Sequence, residues 1–385
     1  MKSKMVKRFF ASLLIGAMAL SLAACGEQGA QKESEGEKST AEAGERPEAV
    51  SEEDWEAMQK EPVFGTEINY LFNGGACVSA KYLAEELGYY EEYGINATYL
   101  EGSSVVDTVG TGQCKWGTDH IATMLVPVTN GVEMTFVCGS HMGCKSVYVS
   151  NDSDIKTVED LKGKTIAIHD GIGNSDQNII YRMLDTEGVN PTEGIEYSNI
   201  EDSAATVAAM ESGEVDASIF SDYFVIANYK DQMRKVCSIT PVDGFTGEVC
   251  CVTAMNNDFI KENPVHAKYV VKAIKRAGEY ARLNPEDAVQ ILYDNDKMTG
   301  EKEDQLEFWN SLYFGLSDAI TEQALENIAS DYIRLGVITN KDMTTEKVMD
   351  LAWNNLCPDE EIEGLTVGDT IEVEGRTVPV KQLGE

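Results

Sequence analysis

The sequence predicts an α/β protein of two lobes, each built on a mostly parallel sheet, with a helical C-terminal part. Three observations carry this. Short apolar runs alternate with helical spacing from residue 66 to about 150. The alternation begins afresh at Asp154 and continues to about residue 255. From 257 to 356 the pattern is almost wholly helical. Strands that alternate with helices make a mostly parallel sheet covered by those helices.

The first lobe opens with an apolar run, Ile68 to Phe72, closed by Asn73-Gly74-Gly75. Ser79 to Gly88 has helical spacing and a glycine stop. Ala97 to Leu100 reads as a strand, followed by Gly102-Ser103-Ser104 and a helix over 105–111. A strand near Trp116 ends at Asp119-His120, and another from Val132 ends at Cys138, before Gly139-Ser140-His141. In the second lobe, 157–164 is a short helix and Thr165 to Ile168 a buried strand. His169 to Ser175 then leads into an amphipathic helix through Leu184. Asp202 caps a helix ending at Ser212-Gly213, and Val215 to Phe220 is a strand closed by Ser221-Asp222-Tyr223. Val236 to Thr240 and Val249 to Met255 are the last predicted strands of this unit.

The chain is expected to pass between the lobes near 148–152 and again near 246–252. This gives a first lobe of 63–150 with 247–356, and a second lobe of 151–246. Ligands of open α/β sheets bind beyond the carboxyl ends of the strands. Residues 357–385 are an extension, in which Asp369 to Val380 alternates around Glu374-Gly375 and reads as a hairpin.

The N-terminus has a different grammar. Lys2, Lys4, Lys7 and Arg8 precede an uncharged stretch from Phe9 to Ala24, short for a membrane span and close to the length of a signal-peptide core. Leu22-Ala23-Ala24-Cys25-Gly26 resembles the lipobox of bacterial lipoproteins. That resemblance implies a signal peptide at 1–24, cut before Cys25, whose thiol carries lipid. Residues 25–62 are then expected to be a lipidated cysteine and a disordered tether, because Glu, Gly, Ser and Ala dominate and large aliphatics are nearly absent. The expected location is the extracytoplasmic face of the cell membrane.

The formal net charge is −35. Such a surface repels nucleic acid and anionic headgroups, which excludes a nucleic-acid binder. There are nine cysteines. Besides Cys25 these are Cys77, Cys114, Cys138, Cys144, Cys237, Cys250, Cys251 and Cys357. Outside the cytosol they permit disulfides, but their spacing forms no disulfide framework and the core is large enough not to need one. They read first as small buried thiols, then as one or two disulfides, and last as a metal or redox device.

Four stretches then match a known family. Tyr82 to Ile95 (YLAEELGYYEEYGI) resembles its A-x-E-x-G-Y-F-x-x-x-G-L stretch. Ile155 to Ala167 (IKTVEDLKGKTIA) resembles its D-L-K-G-K entry to the second lobe. Met210 to Ala217 (MESGEVDA) resembles its L-x-x-G-x-V-D-A, and Asn256 to Pro285 its C-terminal helical signature. The family is that of the nitrate/sulfonate/taurine-type substrate-binding proteins of ABC importers, which includes binders of thiamine precursors. The resemblance covers about 66–356. It implies a type II periplasmic-binding fold, a monomer that closes on a small ligand by a hinge motion, and partners in a permease and its ATPase. Cys250-Cys251, on an expected crossing, departs from the family pattern.

Candidate binding residues sit at strand ends. Gly173, Asn174 and Ser175 in the GIGNS loop offer backbone N–H groups suited to a carboxylate, sulfonate or phosphate. Ser103 and Ser104 form the matching loop of the first lobe, either binding ligand or capping the next helix. Asn73 and Ser140 end strands. His120, His141 and His169 also fall at strand ends, as hydrogen-bonding groups, as separate loop histidines, or as a metal site with Cys138, Cys144 or Asp119. No HxxxH or CxxC spacing supports the metal, and no cofactor or catalytic residue is expected. Asp119 and Asp222 favour an amine or aminopyrimidine, and Tyr223 with Phe224 offers an aromatic wall. Acids beside the GIGNS loop suit a zwitterion or polar heterocycle better than a bare inorganic anion.

Two other function classes remain open on sequence. One is an enzyme on the same fold, similar to thiamine-pyrimidine synthases, which carry a cysteine-rich iron motif that Cys250-Cys251 only faintly echoes. The other is a thiol-based sensory lipoprotein.

Overall fold

The structure, a computed structural model, describes residues 45–242, 245, 247–366, 370–373 and 376–379. Cys25, the leader, the first part of the tether and the tip of the C-terminal hairpin lie outside the described residues. The strands in chain order are β1 (Ile68–Phe72), β2 (Ala97–Glu101), β3 (Trp116–His120), β4 (Met134–Met142), β5 (Lys145–Ser150), β6 (Thr165–Ile168) and β7 (Glu196–Asn199). They continue with β8 (Ala217–Ser221), β9 (Met233–Ser238), β10 (Val249–Asn256), β11 (Tyr313–Phe314), β12 (Thr370–Val373) and β13 (Arg376–Pro379).

One sheet has the order β11-β4-β10-β3. β1 and β2 pair in parallel, and the Lys115 N–H donates to the Asn69 carbonyl at 2.7 Å, which sets β1 beside β3. The other sheet has the order β7-β6-β8-β5-β9. Its β6, β7 and β8 are mutually parallel, while β5 runs antiparallel to β8 and β9. In the first sheet β10 runs antiparallel to β3 and β4. The second sheet is therefore mixed, whereas every pair in the first, β11-β4, β4-β10 and β10-β3, is antiparallel; the mostly parallel sheet expected of the first lobe is confined there to the β1-β2 pair. The antiparallel strands β5 and β10 are the two that arrive from the other sheet, so they enter against the direction of the strands already there. β12 and β13 form an antiparallel pair.

The first crossing lies earlier than the sequence suggests. β4 ends at Met142 and β5 begins at Lys145, so only Gly143 and Cys144 separate the two sheets. Lys145–Ser150 belongs to the second lobe's sheet, not the first. Gly139 and His141, which read as a strand end, are still paired with β10 within β4, so the break falls at Gly143-Cys144 instead. Gly143 has φ +91°, and its N–H donates to the Glu248 carbonyl at 3.0 Å, which joins this crossing to the second one before β10. Cys144 is itself in a positive-φ conformation, φ +104°, uncommon for a residue with a Cβ.

Residues 45–62 are not a disordered tether. Ser51 caps a helix, Glu52–Met58, accepting from the Asp54 N–H at 3.1 Å. Val50 and Met58 are fully buried, and Trp55 packs edge-on against Phe64. Tyr269 Oη donates to Asp54 at 2.8 Å, and Glu61 accepts from the buried His266. The averaged composition of 26–60 is that of a solvated chain. Three apolar residues at its end, Val50, Trp55 and Met58, suffice to dock it.

Each sheet is packed by apolar side chains. Tyr70 stacks on Trp116 at 5.6 Å in the first, and Ile166, Ile168 and Ile219 are fully buried in the second. Ser104, Asp202, Asn256 and Ser317 cap helices by accepting from the N–H three residues on. The helix Ile121–Thr129, which the strand-end reading did not resolve, carries Pro127 within it. The C-terminal part is helical, led by Pro264–Leu283 and Asp318–Arg334. Among the described residues no helix is long and apolar enough to cross a membrane.

Candidate functional site

The carboxyl ends of the parallel strands and the two crossings carry most of the residues singled out by sequence. Their side chains differ in how far they are already engaged.

On the second lobe, the GIGNS loop is largely satisfied from within. The Asp170 carboxylate accepts from Ser175 Oγ and from the Asp176 N–H at 3.2 Å. Gly173 N–H donates to Gln177 at 2.7 Å, Gly171 N–H to Asn199 at 2.9 Å, and Ser175 N–H to Asn174 at 3.0 Å. The N-terminus of the helix Ser175–Thr186 thus already holds a carboxylate of its own chain. Asp176 is buried and paired with Lys145. Burial alone would raise the Asp176 carboxyl, but the Lys145 ammonium and the His169 N–H hold it below the usual range.

Asp222 is fully buried inside the second lobe. It accepts from Tyr148 Oη at 2.7 Å, Thr240 Oγ1 at 2.5 Å and Lys235 Nζ at 3.2 Å. Tyr223 turns toward the C-terminal helices, 5.7 Å from the Phe308 ring, while Phe224 stacks on Phe220 at 5.1 Å. His169 lies between the carbonyls of Ile200 and Ile219, 2.8 Å from each. Asp222, Phe224 and His169 hold the second lobe together, and Tyr223 contacts the C-terminal helices.

On the first lobe, Ser104 is spent as a helix cap and Ser103 is exposed. Asn73 donates to the Thr118 carbonyl and accepts from Lys81 Nζ and Tyr82 Oη. Lys81 is fully buried over the Tyr82 ring, 4.3 Å from its centroid. Burial pulls its ammonium down to about 7, against the opposing pull of Cys77 and Asp119.

Sequence spacing gave no sign of the next arrangement. His120, at the end of β3, meets Cys144 in the first crossing and Cys250 and Cys251 at the start of β10, with one ligand atom of each within 4.8 Å of the others. His120 Nε2 is 3.5 Å from Cys144 Sγ, and Cys144 Sγ is 3.1 Å from Cys250 Sγ. Cys77, His141 and Cys251 form an adjoining set. Ser140 Oγ reaches the Cys77 carbonyl at 3.4 Å. Residues from three separate places in the sequence, 120, 144 and 250–251, reach one point because both crossings pass it.

The charges in this cluster are shared. Burial pushes the Cys144 thiol up, yet hydrogen bonds from Cys250, Cys251 and Cys77 and the nearby His120 bring it well below its ordinary value. His120 is disfavoured as a cation by burial, but Cys250, Cys144 and Asp119 raise it well above the usual imidazole value. Asp119 Oδ1 lies 3.2 Å from His120 Nδ1. The thiols of Cys77 and Cys250 are pushed up, to about 12 and about 11, chiefly by the bond with Cys144 and by burial respectively. The other cysteines, Cys114, Cys138, Cys237 and Cys357, are free, buried and absent from both sets.

Two sheets, one antiparallel and one mixed, linked by two adjacent crossings and backed by C-terminal helices, define the periplasmic-binding-protein class of fold. Residues 78–288, more than half of the chain, match the family described as NMT1/THI5 like, and the chain belongs to that family. Among solved structures it is similar to the periplasmic aliphatic sulphonate-binding protein SsuA of Escherichia coli. The TM-score is 0.59 at 16% identity, over 82% of this chain and 97% of that one. It is also similar to the periplasmic nitrate-binding protein NrtA of Synechocystis, with a TM-score of 0.56 at 15% identity over 74% and 85%. A candidate binding protein of Brucella abortus is 22% identical over 214 residues, 54% of this chain and 65% of that protein. The 4-amino-5-hydroxymethyl-2-methylpyrimidine phosphate synthase THI5 of Saccharomyces cerevisiae is 22% identical over 229 residues, 55% of this chain and 66% of the synthase. The chain thus spans just under two thirds of the length of these curated relatives.

Proposed function

We propose that the chain is the extracytoplasmic solute-binding lipoprotein of an ABC importer. It is held to the cell membrane through Cys25, captures a small polar organic molecule by closure of its lobes, and passes it as a monomer to a permease and its ATPase. The observation that carries this reading is the two-sheet architecture with both crossings joined at Gly143 and Glu248. Paired crossings of this kind serve as a hinge. The lipobox and the family support the same reading.

The ligand chemistry is argued from Asp170. A bare anion at the N-terminus of the helix Ser175–Thr186 would have to displace that carboxylate from Ser175 and Asp176. A ligand with an amine or ring N–H would instead be attracted by it. The solute is therefore a zwitterion or a polar heterocycle such as a thiamine precursor, in preference to a simple sulfonate.

The test is mass spectrometry of small molecules carried through purification, with a thermal-shift panel of amines, aminopyrimidines, sulfonates, nitrate and sulfate. Stabilisation by an amine-bearing or heterocyclic member is expected. If only nitrate or sulfate stabilises the protein, the ligand chemistry is wrong. If the bound molecule is converted on incubation, the importer reading gives way to an enzyme of the synthase type.

A further inference from the structure

We propose that Cys144, Cys250, Cys251 and His120 form a binding site for one thiophilic d10 cation, Zn2+ or Cu+, placed where the two crossings meet the first lobe. The site does not depend on which solute the protein carries.

Geometry is the first argument. Their ligand atoms lie within 4.8 Å of one another. Bonds of about 2.3 Å to sulfur and about 2.0 Å to imidazole nitrogen place the donors of one tetrahedral ion roughly 3.5–3.8 Å apart, and the Cys144–Cys250 and Cys144–His120 separations, 3.1 and 3.5 Å, are already close to that. The cluster needs shifts of no more than about 1 Å, within reach of side-chain rotation, to close on an ion. Cys144 comes from the first crossing, Cys250 and Cys251 from the second, and His120 from β3. One ion would tie all three together.

The second argument is the support of the imidazole. The Asp119 carboxylate, an acceptor, lies beside His120 Nδ1 and leaves Nε2 directed at Cys144. A carboxylate behind a histidine fixes the tautomer and orientation that a metal requires.

An independent observation points to the same place. His141 is fully buried, and its Nε2 has no hydrogen-bond partner. Its Nδ1 lies 3.0 Å from the Met142 carbonyl, an acceptor, so Nδ1 carries the proton and Nε2 is a bare lone pair. His141 belongs to the adjoining set with Cys77 and Cys251. An unsatisfied buried acceptor is costly, and a cation held by Cys251 would lie beside this one.

Donor chemistry selects the ion. Three thiol sulfurs and an imidazole favour Zn2+ and Cu+ over Mg2+, Ca2+ or Mn2+, which prefer oxygen. Cys144, Cys250 and Cys251 bind as thiolates, and the protons still on them leave to solvent as the metal–sulfur bonds form. The metal is neither oxidised nor reduced.

The experiment uses the full-length protein in detergent, reduced and stripped with a chelator. Zn2+ and Cu+ are titrated in separate arms against competing chelators, and Co2+ serves as a spectroscopic probe of thiolate ligation. One equivalent bound in either arm, with thiolate-to-cobalt charge-transfer absorption, is expected. Cys250→Ser and Cys144→Ser should each weaken binding at least roughly 100-fold, and Asp119→Asn by about 10–100-fold. Cys114→Ala, at an isolated thiol, should leave it unchanged. Circular dichroism checks that each variant folds, and Asp119→Asn serves if a cysteine variant does not. No bound equivalent in either arm, cobalt binding without thiolate absorption, affinity unchanged by Asp119→Asn, or iron retained through purification in place of these ions would each overturn the proposal.

Discussion

Arg182 Nε donates to Asp331 Oδ2 at 2.9 Å, joining the helix Ser175–Thr186 of the second lobe to the helix Asp318–Arg334 of the C-terminal part. The same guanidinium pairs with Glu248 in the second crossing. The Arg182 side chain is 1% exposed and that of Glu248 6%. Removing one member of a buried pair leaves the other charge uncompensated, which costs about 3–5 kcal/mol. Arg182→Ala is therefore expected to lower unfolding stability by about that much in urea titration of the full chain. A loss under about 1 kcal/mol would mean the contact is solvated like a surface pair.

Met58 gives a sharper test of the N-terminal segment. It is fully buried, in a stretch whose composition reads as a tether. If the helix Glu52–Met58 is docked as described, Met58→Ala should destabilise the protein by about 2–5 kcal/mol. In a solvated tether the same change would be nearly neutral. Equilibrium unfolding of the two proteins separates these outcomes.

The Asp176–Lys145 pair sets an acid limb. Asp176 has its folded pKa held below the unfolded carboxylate value, so it stabilises the protein above about pH 4. That contribution is lost as pH falls through the folded value. Lys145 is shifted the other way, and its share is full below the ordinary lysine range and lost only at strongly alkaline pH. Asp176→Asn should thus cost stability at neutral pH and progressively less toward about pH 2, because the wild type loses the same interaction there. Melting temperatures of both proteins across that range check the convergence. Parallel curves would remove Asp176 from the account.

Much of this was legible in the sequence, and the exceptions have physical causes. Strand and helix alternation follows from local period, so β1, β3, β6, β8 and β10 fall where the apolar runs are. The first crossing was misplaced because Ser146 to Ser150 reads equally well as the last strand of the first lobe, and only Gly143-Cys144 parts β5 from β4. The second lobe's Asp222 looked like a cleft acid, since position at a strand end does not tell where a carboxylate points. Its acceptance from Tyr148 and Thr240 depends on β5 pairing with β8 and on β9, which leads to Thr240, pairing with β5. The thiol cluster was invisible for a related reason. Positions 77, 120, 144 and 250–251 share no spacing, and their meeting is a property of the crossings. The available signal was Cys250-Cys251 on an expected crossing with His120 at a strand end.

Asp170 carries the last prediction, because it separates the proposed ligand class from its relatives'. Its carboxylate fills the donor positions at Ser175 Oγ and the Asp176 N–H. Asp170→Ala empties them and removes one of the two carboxylates, with Asp176, that oppose the partial positive charge of the helix terminus. The loss of this cap should cost about 1 kcal/mol of stability. Sulfate and simple sulfonates should then gain affinity by roughly fivefold or more, the equivalent of about 1 kcal/mol from a freed helix terminus. An amine-bearing ligand that the native protein retains should lose affinity in the same variant. Calorimetric titration of both proteins with sulfate, a sulfonate and the co-purified solute reads the two changes at once. If the solute binds equally well without Asp170, the carboxylate only caps the helix, and the case for a zwitterion or heterocycle over a bare anion falls with it.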